Sequence, residues 1–486
     1  MNYSQPFYRL VVKFKNHLKL PYIREREINR YFSKYDSLPF KFLLKNFPDI
    51  RIGKLFNSLK PEIIIELANR ATILEQDYYR PNFLFYYVID CPYEINSDEI
   101  LQILRRHDEV ELAYLETGAV LPPSAKKVSN SSSIYQGYLK PAPAGIDAVY
   151  AWNMEGGDGS GIKFIDIEQG WNLDSRKFTV KRLPCTGLNF SIFKNHGEAV
   201  LGVIFTKHDY FGCKGIAPKA NGYVISQWRS DGSFNTADAI MAAISQLKYG
   251  DIILLEAQIY DYPGSESFWP VEIQHAVFDV IRLASALGII VIEAAGNGKK
   301  SYGEGIDLDN FTDYHVKNPL NRKSPDFKDS GAILIAAASD SVPHYRIRHS
   351  NFGSRVDCYA WGERVSTEKS NLDIPEMAIH SYRKKINGTS SASAIIAGVA
   401  VLVQSITESN YHFRLSPKQM RGILGNDLLG TSSANGRSID QLGVMPDLKK
   451  IIDYIHLVGP ALNETDKTIH ESNYKKNIFS NELTRF

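Results

Sequence analysis

Three polar side chains stand where an α/β protein places reactive groups. Asp166 ends the apolar stretch 162–165 and Gly170 soon follows, a pattern that predicts a carboxylate at the end of a buried strand. His196 opens the apolar helical segment 197–205, and Ser390 lies in a run of glycine, serine and alanine that opens another apolar helix. In open α/β sheets, reactive groups collect at the carboxyl ends of the strands. A carboxylate, an imidazole and a hydroxyl at one such edge predict nucleophilic catalysis.

A fourth segment, 294–298, adds an amide side chain, because Asn297 follows the apolar strand 289–292 and a run of small residues. The run of glycine, serine and alanine at Ser390 places backbone amide donors there, so an anionic oxygen forming beside Ser390 would meet the positive end of the helix. Singly, each feature has an ordinary structural explanation: a strand-end cap for Asp166, a structural or exposed histidine, a helix N-cap for Ser390 and a turn at Asn297. Together they are more specific, since Asp, His, Ser is a known chain order for a serine-protease triad.

These segments resemble the subtilisin-like serine peptidases, the subtilases. The resemblance rests on the sequences Ala-Ala-Gly-Asn at 294–297 and Gly-Thr-Ser-Ser-Ala-Ser at 388–393, with Gly-Ile-Ala-Pro at 215–218, and it spans about 150–455. It implies that Ser390 is the nucleophile, that His196 is its base, that Asp166 orients the imidazole and that Asn297 donates to the oxyanion. Two positions depart from the family pattern: Glu198 replaces a threonine and Ala394 replaces a proline.

The resemblance also implies where a substrate would lie, as an extended strand beside the segment after Leu255. That segment reads Glu256-Ala257-Gln258 where the family has Ser-Leu-Gly. The substrate-binding candidates are Glu256, Ala257, Gln258, Ala294 and Gly296. Backbone pairing survives the change, whereas the acid at Glu256 would bias the subsites that precede the cleaved bond.

The strand pattern predicts the fold class and four regions. From 145 to 459, short apolar strands without alternation are separated by helical segments, which predicts a doubly wound, mainly parallel α/β domain. Residues 1–118 predict a small α+β domain with strands at 7–14, 83–89 and 110–115 and helices at 61–72 and 97–106. It resembles the inhibitory propeptide of the subtilases. Residues 119–144 are interpreted as a linker with a processing site, and 460–486 as a polar tail.

Charge and cysteine content limit the other possibilities. Lys and Arg number 56 against 54 Asp and Glu, and no clustered basic face is evident, so a nucleic-acid partner is not expected. The 4 cysteines show no zinc spacing, although Cys185 and Cys213 could pair. No cofactor is expected, although calcium at the acidic stretch 307–310 stays an alternative. No membrane span or signal peptide is evident, which predicts a cytoplasmic protein or export by a route independent of a signal peptide.

The sequence therefore predicts a serine endopeptidase that acts on protein or peptide substrates and carries its own N-terminal domain as an intramolecular inhibitor. The alternative is a catalytically silent binding protein of the same fold, whose N-terminal domain stays docked.

Overall fold

The computed structural model describes residues 7–18, 20, 25–32, 38–120, 126–128, 136–173, 180–183, 185–207, 213–262, 264–300, 303–313, 316–370 and 382–459. The predicted tail, 460–486, lies outside these residues, as do 121–125 and 129–135 of the predicted linker.

The N-terminal part of the chain is an antiparallel sheet with four helices. Its elements are β1 Phe7–Phe14, α1 Glu25–Phe32, α2 Pro39–Asn46, β2 Arg51–Lys54, α3 Pro61–Leu74, β3 Tyr86–Pro92, α4 Ser97–Arg105 and β4 Val110–Glu116. The strands lie in the order β2-β3-β1-β4. The elements α1, α2 and β2 were not predicted, because they span only 8, 8 and 4 residues and so present little periodic pattern.

The remaining elements build a nine-stranded sheet with its helices and two small three-stranded sheets. They are β5 Lys126–Val128, α5 Ala148–Ala151, β6 Lys163–Glu168, β7 Val180–Arg182, α6 Lys194–Phe205, β8 Asn221–Ser226, α7 Thr236–Ile244, β9 Ile252–Leu255, β10 Gln258–Tyr260, β11 Ser267–Pro270, α8 His275–Ala286, β12 Ile290–Ala294, β13 Gly298–Lys299, β14 Ile333–Ala338, β15 Cys358–Trp361, β16 Val365–Ser370, β17 Tyr382–Ile386, α9 Thr389–Tyr411, α10 Pro417–Leu424, β18 Gly430–Ser432, α11 Gly436–Asp440 and β19 Val444–Pro446. A further helix covers 448–459. The two small sheets have the orders β10-β11-β13 and β16-β17-β5.

The large sheet has the order β18-β19-β15-β14-β12-β9-β6-β8-β7. Every neighbouring pair is parallel except β18 and β19. Strands β9, β12 and β14 are buried along their whole length, as expected where helices cover both faces of a parallel sheet. This arrangement brings the carboxyl ends of β6, β9 and β12 side by side.

Two apolar clusters cover the faces of this sheet. One contains α6 and α9, and the other contains α7 and α8. Among the described helices, α9 alone is long and apolar enough to cross a bilayer, and its apolar stretch is wholly buried within the protein. It is therefore a central core helix here, and its N-terminus opens at the carboxyl edge of the sheet.

Strand β1 turns alternate residues toward two different partners. Leu10, Val12 and Phe14 pack in a core with α1, α2 and α4, whereas Val11 joins the cluster that contains α7 and α8. Lys13, on the same face as Val11, forms an ion pair with Asp279 of α8 at 3.5 Å. The N-terminal sheet is thus packed between its own helices and the large domain.

Candidate active site

Ser390 is the second residue of α9, at the carboxyl edge of the sheet. The preceding Gly388 has φ of 84°, a conformation that side chains disfavour. A Cβ atom at Gly388 would lie 2.5 Å from Asn297 Oδ1, so the close approach of the two segments requires glycine. Ser390 is 7% exposed and lines a pocket at the helix N-terminus.

His196 lies near the N-terminus of α6, with its ring held from one side. Its Nδ1 is 2.8 Å from Glu168 Oε2, and both side chains are buried. In that arrangement Nδ1–H donates to the carboxylate and Nε2 keeps its lone pair. Nε2 has no partner in the structure, and His196 lines the same pocket as Ser390. The imidazole is therefore oriented to accept a proton from within the pocket.

The acid beside His196 differs from the one expected, because Glu168 and not Asp166 makes the contact. Asp166 Oδ2 instead accepts from the Trp171 indole N–H at 2.6 Å. Asp166 and Glu168 are two residues apart on β6, so they share a face, but Glu168 is the last strand residue and lies nearer the carboxyl edge. Trp171 packs against α6, where a Cβ at Gly197 would lie 2.4 Å from its ring.

Asn297 follows β12 and faces the first turn of α9. Its Oδ1 accepts from the Thr389 backbone N–H at 3.0 Å, which directs Nδ2 away from that backbone. Nδ2 and the Asn297 backbone N–H both donate to Gln258 Oε1, at 3.1 and 3.0 Å. The expected oxyanion donor is thus beside Ser390, with the Gln258 side chain accepting its hydrogen bond.

Most of the expected substrate-binding residues border this pocket. Its lining comprises Val120, Gln169, His196, Gln227, Glu256, Ala257, Gln258, Ala294, Asn297, Thr389 and Ser390. Gly296 is absent from that lining; it has φ of 95° and packs against Asn351, so it shapes the turn before Asn297. Gln169 and Gln227 were not anticipated, because neither belongs to a recognisable motif.

Val120, just after the N-terminal sheet, occupies one side of the pocket. Its carbonyl accepts from Gln169 Nε2 at 2.6 Å, and Gln169 in turn accepts from the Trp228 indole at 3.1 Å. The neighbouring Ala119 packs against an aromatic cluster that includes Phe193 and Trp228. With these residues in place the pocket retains about 20 Å³, space for roughly one water molecule.

The N-terminal domain is fixed to the large domain by a buried carboxylate. Asp238 of α7 accepts from the backbone N–H groups of Asn57 and Ser58, at 2.9 and 3.0 Å, and from the Ser58 hydroxyl. Arg229 forms an ion pair with Asp238 at 2.9 Å and donates to Ser58 Oγ at 2.6 Å. Charge-assisted hydrogen bonds of this kind are stronger than neutral ones.

The site is acidic and buried. Burial raises the pKa of the Asp166, Glu168 and Glu256 carboxyls well above their ordinary values, and burial lowers the pKa of His196 below 6.5. Among the described residues, none of the three carboxyls forms an ion pair with lysine or arginine. Burial and the proximity of like charges therefore disfavour a charge on all three acids at once.

Other groups considered in the sequence lie away from the pocket. Cys185 and Cys213 are both free thiols, so the possible disulfide is not formed. Within the described ranges, no group of three potential ligands is arranged to hold a metal ion. In the acidic stretch, Asp309 Oδ1 accepts from Ser354 Oγ at 2.7 Å and Asp307 accepts from Asn310 at 3.0 Å, so these carboxylates are engaged by protein donors.

One of the comparisons with known proteins identifies a family. A family model described as the subtilase family, Peptidase_S8, matches residues 186–444. One solved structure that this chain resembles is that of the prenylagaramide maturation protease PagA, with 18% identity, coverage of 63% of this chain and 98% of that chain, and a TM-score of 0.45. No curated protein matched the sequence.

The family match begins after β6 and so does not bear on the choice between Asp166 and Glu168. The match spans more than half of the chain and includes His196, Asn297 and Ser390. The predicted α/β fold is therefore confirmed. The chain belongs to the subtilase family of serine peptidases.

Proposed function

We propose that this chain is a serine endopeptidase whose triad is Glu168, His196 and Ser390. The observation that carries the proposal is the position of His196, which has a carboxylate 2.8 Å from Nδ1 and an unpartnered Nε2 in the pocket that Ser390 lines. A catalytic triad needs this arrangement of the imidazole, since one ring nitrogen must donate to the carboxylate while the other accepts the proton of the serine hydroxyl.

In the proposed reaction, Ser390 Oγ attacks the scissile carbonyl while His196 Nε2 takes its proton. Glu168 stabilises the imidazolium that results, and the same proton then passes to the leaving amine. Burial makes the carboxylate–imidazolium attraction stronger than it would be in water, because solvent screening is weak there. Water, deprotonated by His196 Nε2, then attacks the acyl-enzyme carbonyl; His196 returns that proton to Ser390 Oγ as the peptide acid leaves.

Asn297 would stabilise the oxyanion together with the Ser390 backbone N–H, which lies at the positive end of α9. The hydrogen bond from Thr389 N–H to Asn297 Oδ1 keeps Nδ2 as the available donor. Because Gln258 accepts from Nδ2 in the absence of substrate, substrate binding would displace Gln258 from the donor. Gln258 thus satisfies a buried donor between turnovers.

The N-terminal domain would act as an intramolecular inhibitor, and the chain would be a zymogen. Val120 borders the pocket and accepts from Gln169, so an extended substrate could not take this position while Val120 occupies it. Maturation would cut the linker after Val120, and Ser390 would perform that cut. The substrates of the mature enzyme would be proteins or peptides bound in an extended conformation.

The test is the intact mass after incubation with a fluorophosphonate, for the wild type, Ser390→Ala and Ser391→Ala. Ser391 is the matched control, because its hydroxyl donates within the same helical turn to the Gly388 carbonyl at 2.8 Å. We expect an adduct on the wild type and on Ser391→Ala alone. A labelled Ser390→Ala would refute the assignment of the nucleophile. Cleavage of the linker in purified Ser390→Ala would refute self-processing.

A catalytically silent binding protein is the second candidate function. It is favoured by the contacts in the pocket, since Val120 borders it and Gln258 accepts from the proposed oxyanion donor. The same labelling experiment separates the two functions. A folded wild-type protein that takes no label, even after the N-terminal domain has been removed by limited proteolysis, would favour the binding protein.

A further inference from the structure

A second glutamate lies beside the proposed triad with no role in the steps above. Glu256 directly follows β9, and its backbone N–H donates to the Ile167 carbonyl of β6 at 3.2 Å. The parallel register pairs Ile167 with Leu255, so Glu168 and Glu256 are level with each other on adjacent strands, which lie about 4.8 Å apart. Side chains at level positions point to the same face of a sheet. Both glutamates therefore approach His196 from the same layer.

The partners of the two glutamates differ in kind. Glu168 meets the imidazole of His196, whereas Glu256 Oε1 is 2.5 Å from the Ser393 hydroxyl. The remaining atom, Glu256 Oε2, is buried without a partner. Two like charges on neighbouring strands are unfavourable in a buried site. A single negative charge is more favourable on Glu168 than on Glu256, because Glu168 faces the imidazolium that forms on His196.

The hydrogen bonds around Ser393 indicate where a proton is needed. Ser393 Oγ lies 2.8 Å from the Thr389 carbonyl and 3.0 Å from the Ser390 carbonyl, in addition to Glu256 Oε1. A hydroxyl has one hydrogen to donate but can accept as well. If Glu256 is protonated, its O–H donates to Ser393 Oγ and Ser393 donates onward to a carbonyl of the nucleophile's own turn. If Glu256 is ionised, Ser393 must give that hydrogen to the carboxylate.

We propose that Glu256 is a positioning residue that works as a neutral carboxylic acid: through Ser393 it holds the first turn of α9, and by staying uncharged it leaves the negative charge of the site on Glu168. The inference rests on the triad proposed above. The titratable groups that face Glu256 are Glu168 and Asp166 on β6 and His196 on α6. From α9 it meets the hydroxyl of Ser393. Burial and the neighbouring Glu168 raise the pKa of Glu256, in agreement with a protonated side chain.

The test compares Glu256→Gln with Glu256→Ala. Glutamine is uncharged and can still donate to Ser393 Oγ, so it should retain most of kcat, whereas alanine should lose about tenfold or more. The acid limb of the pH profile, where kcat/KM falls as the pH is lowered, should lie at the same pH in Glu256→Gln as in the wild type. The reason is that the substitution removes no charge from beside His196. A Glu256→Gln enzyme whose limb moves down by about one pH unit would mean that Glu256 is ionised in the working enzyme. That result would overturn the proposal, as would equal kcat values in both variants.

A second variant tests the same contact from α9. Ser393→Ala should lower kcat as Glu256→Ala does, and the double variant should lose no more than either single one, since both substitutions remove one hydrogen bond. Additive losses would contradict the proposal. All variants are first labelled with the fluorophosphonate. If the wild type takes no label after its N-terminal domain has been removed, the proposed peptidase function fails; if it is labelled but these comparisons fail, only the role of Glu256 falls.

One measurement does not depend on turnover. In the inactive Ser390→Ala background, the infrared spectrum at neutral pH should contain a carbonyl stretch of a protonated carboxylic acid. That band should weaken in Ser390→Ala/Glu256→Gln. A spectrum in which the Glu256 substitution removes only a carboxylate band would overturn the proposal.

Discussion

The choice between Glu168 and Asp166 yields the sharpest prediction, because the two carboxyls lie on one strand and have different partners. Glu168→Gln replaces the carboxylate that contacts His196 Nδ1 at 2.8 Å with an amide. An amide cannot stabilise the imidazolium and can hold the ring in the wrong tautomer, so we expect kcat to fall by about 10⁴, as in other serine proteases. Asp166→Asn leaves an oxygen that can still accept from Trp171, so the loss should stay below about tenfold.

A shorter acid refines the same prediction. Glu168→Asp removes one methylene, which withdraws the carboxylate by about 1.5 Å. The distance to Nδ1 would then exceed hydrogen-bond range, so activity should lie between those of the wild type and Glu168→Gln.

The assay is the single-turnover acylation rate with an activated ester, measured on enzyme whose N-terminal domain has been removed. Thermal unfolding of each variant provides the control for folding. Because both side chains are buried on β6, losses of stability should be comparable and cannot explain a large difference in rate. The reasoning is refuted if Asp166→Asn lowers acylation as much as Glu168→Gln while both proteins remain folded.

Three further predictions follow from the site. Asn297→Ala should lower kcat by about 10²–10³ with little change in KM, measured with the same ester, because an oxyanion donor acts on the transition state; a change confined to KM would contradict this role. The acid limb of kcat/KM should lie below pH 6.5, since burial lowers the pKa of His196 and protonated imidazole cannot accept the serine proton; a limb above 6.5 would contradict the reasoning. Ser58→Ala should raise the rate of fluorophosphonate labelling of the full-length chain by about tenfold, because the contact of Ser58 with Asp238 is lost; an unchanged rate would show that this contact does not limit access.

The sequence predicted which segments meet at the site but not which of two neighbouring acids reaches the histidine. The apolar strands and the glycine-rich helix start are local patterns, so β6, β9, β12 and the start of α9 could be read from them. The contact of Glu168 with His196 depends on where α6 lies against the sheet. One contact that accompanies that position is the packing of Gly197 on Trp171, which joins distant parts of the chain and has no local signature.

The same limit applies to the N-terminal domain. Alternation along β1 predicts a strand, yet it does not reveal that the face bearing Lys13 packs against α8. Nor could Gln258 be recognised as the acceptor for Asn297, since that contact joins β10 to the segment after β12. Packing partners of this kind emerge only when the whole sheet is assembled.

Because Val120 borders the pocket, an intact or a cut linker should decide whether occupancy of the pocket depends on the protein concentration. While the chain is continuous, the first residues of the linker, which include Val120, meet the pocket at an effective concentration that a short tether sets near the millimolar range. After a cut in the linker, the same segment becomes a separate ligand, and its occupancy depends on how dilute the protein is. Dilution alone would then raise the specific activity of the cut protein, whereas the uncut chain would be insensitive to it.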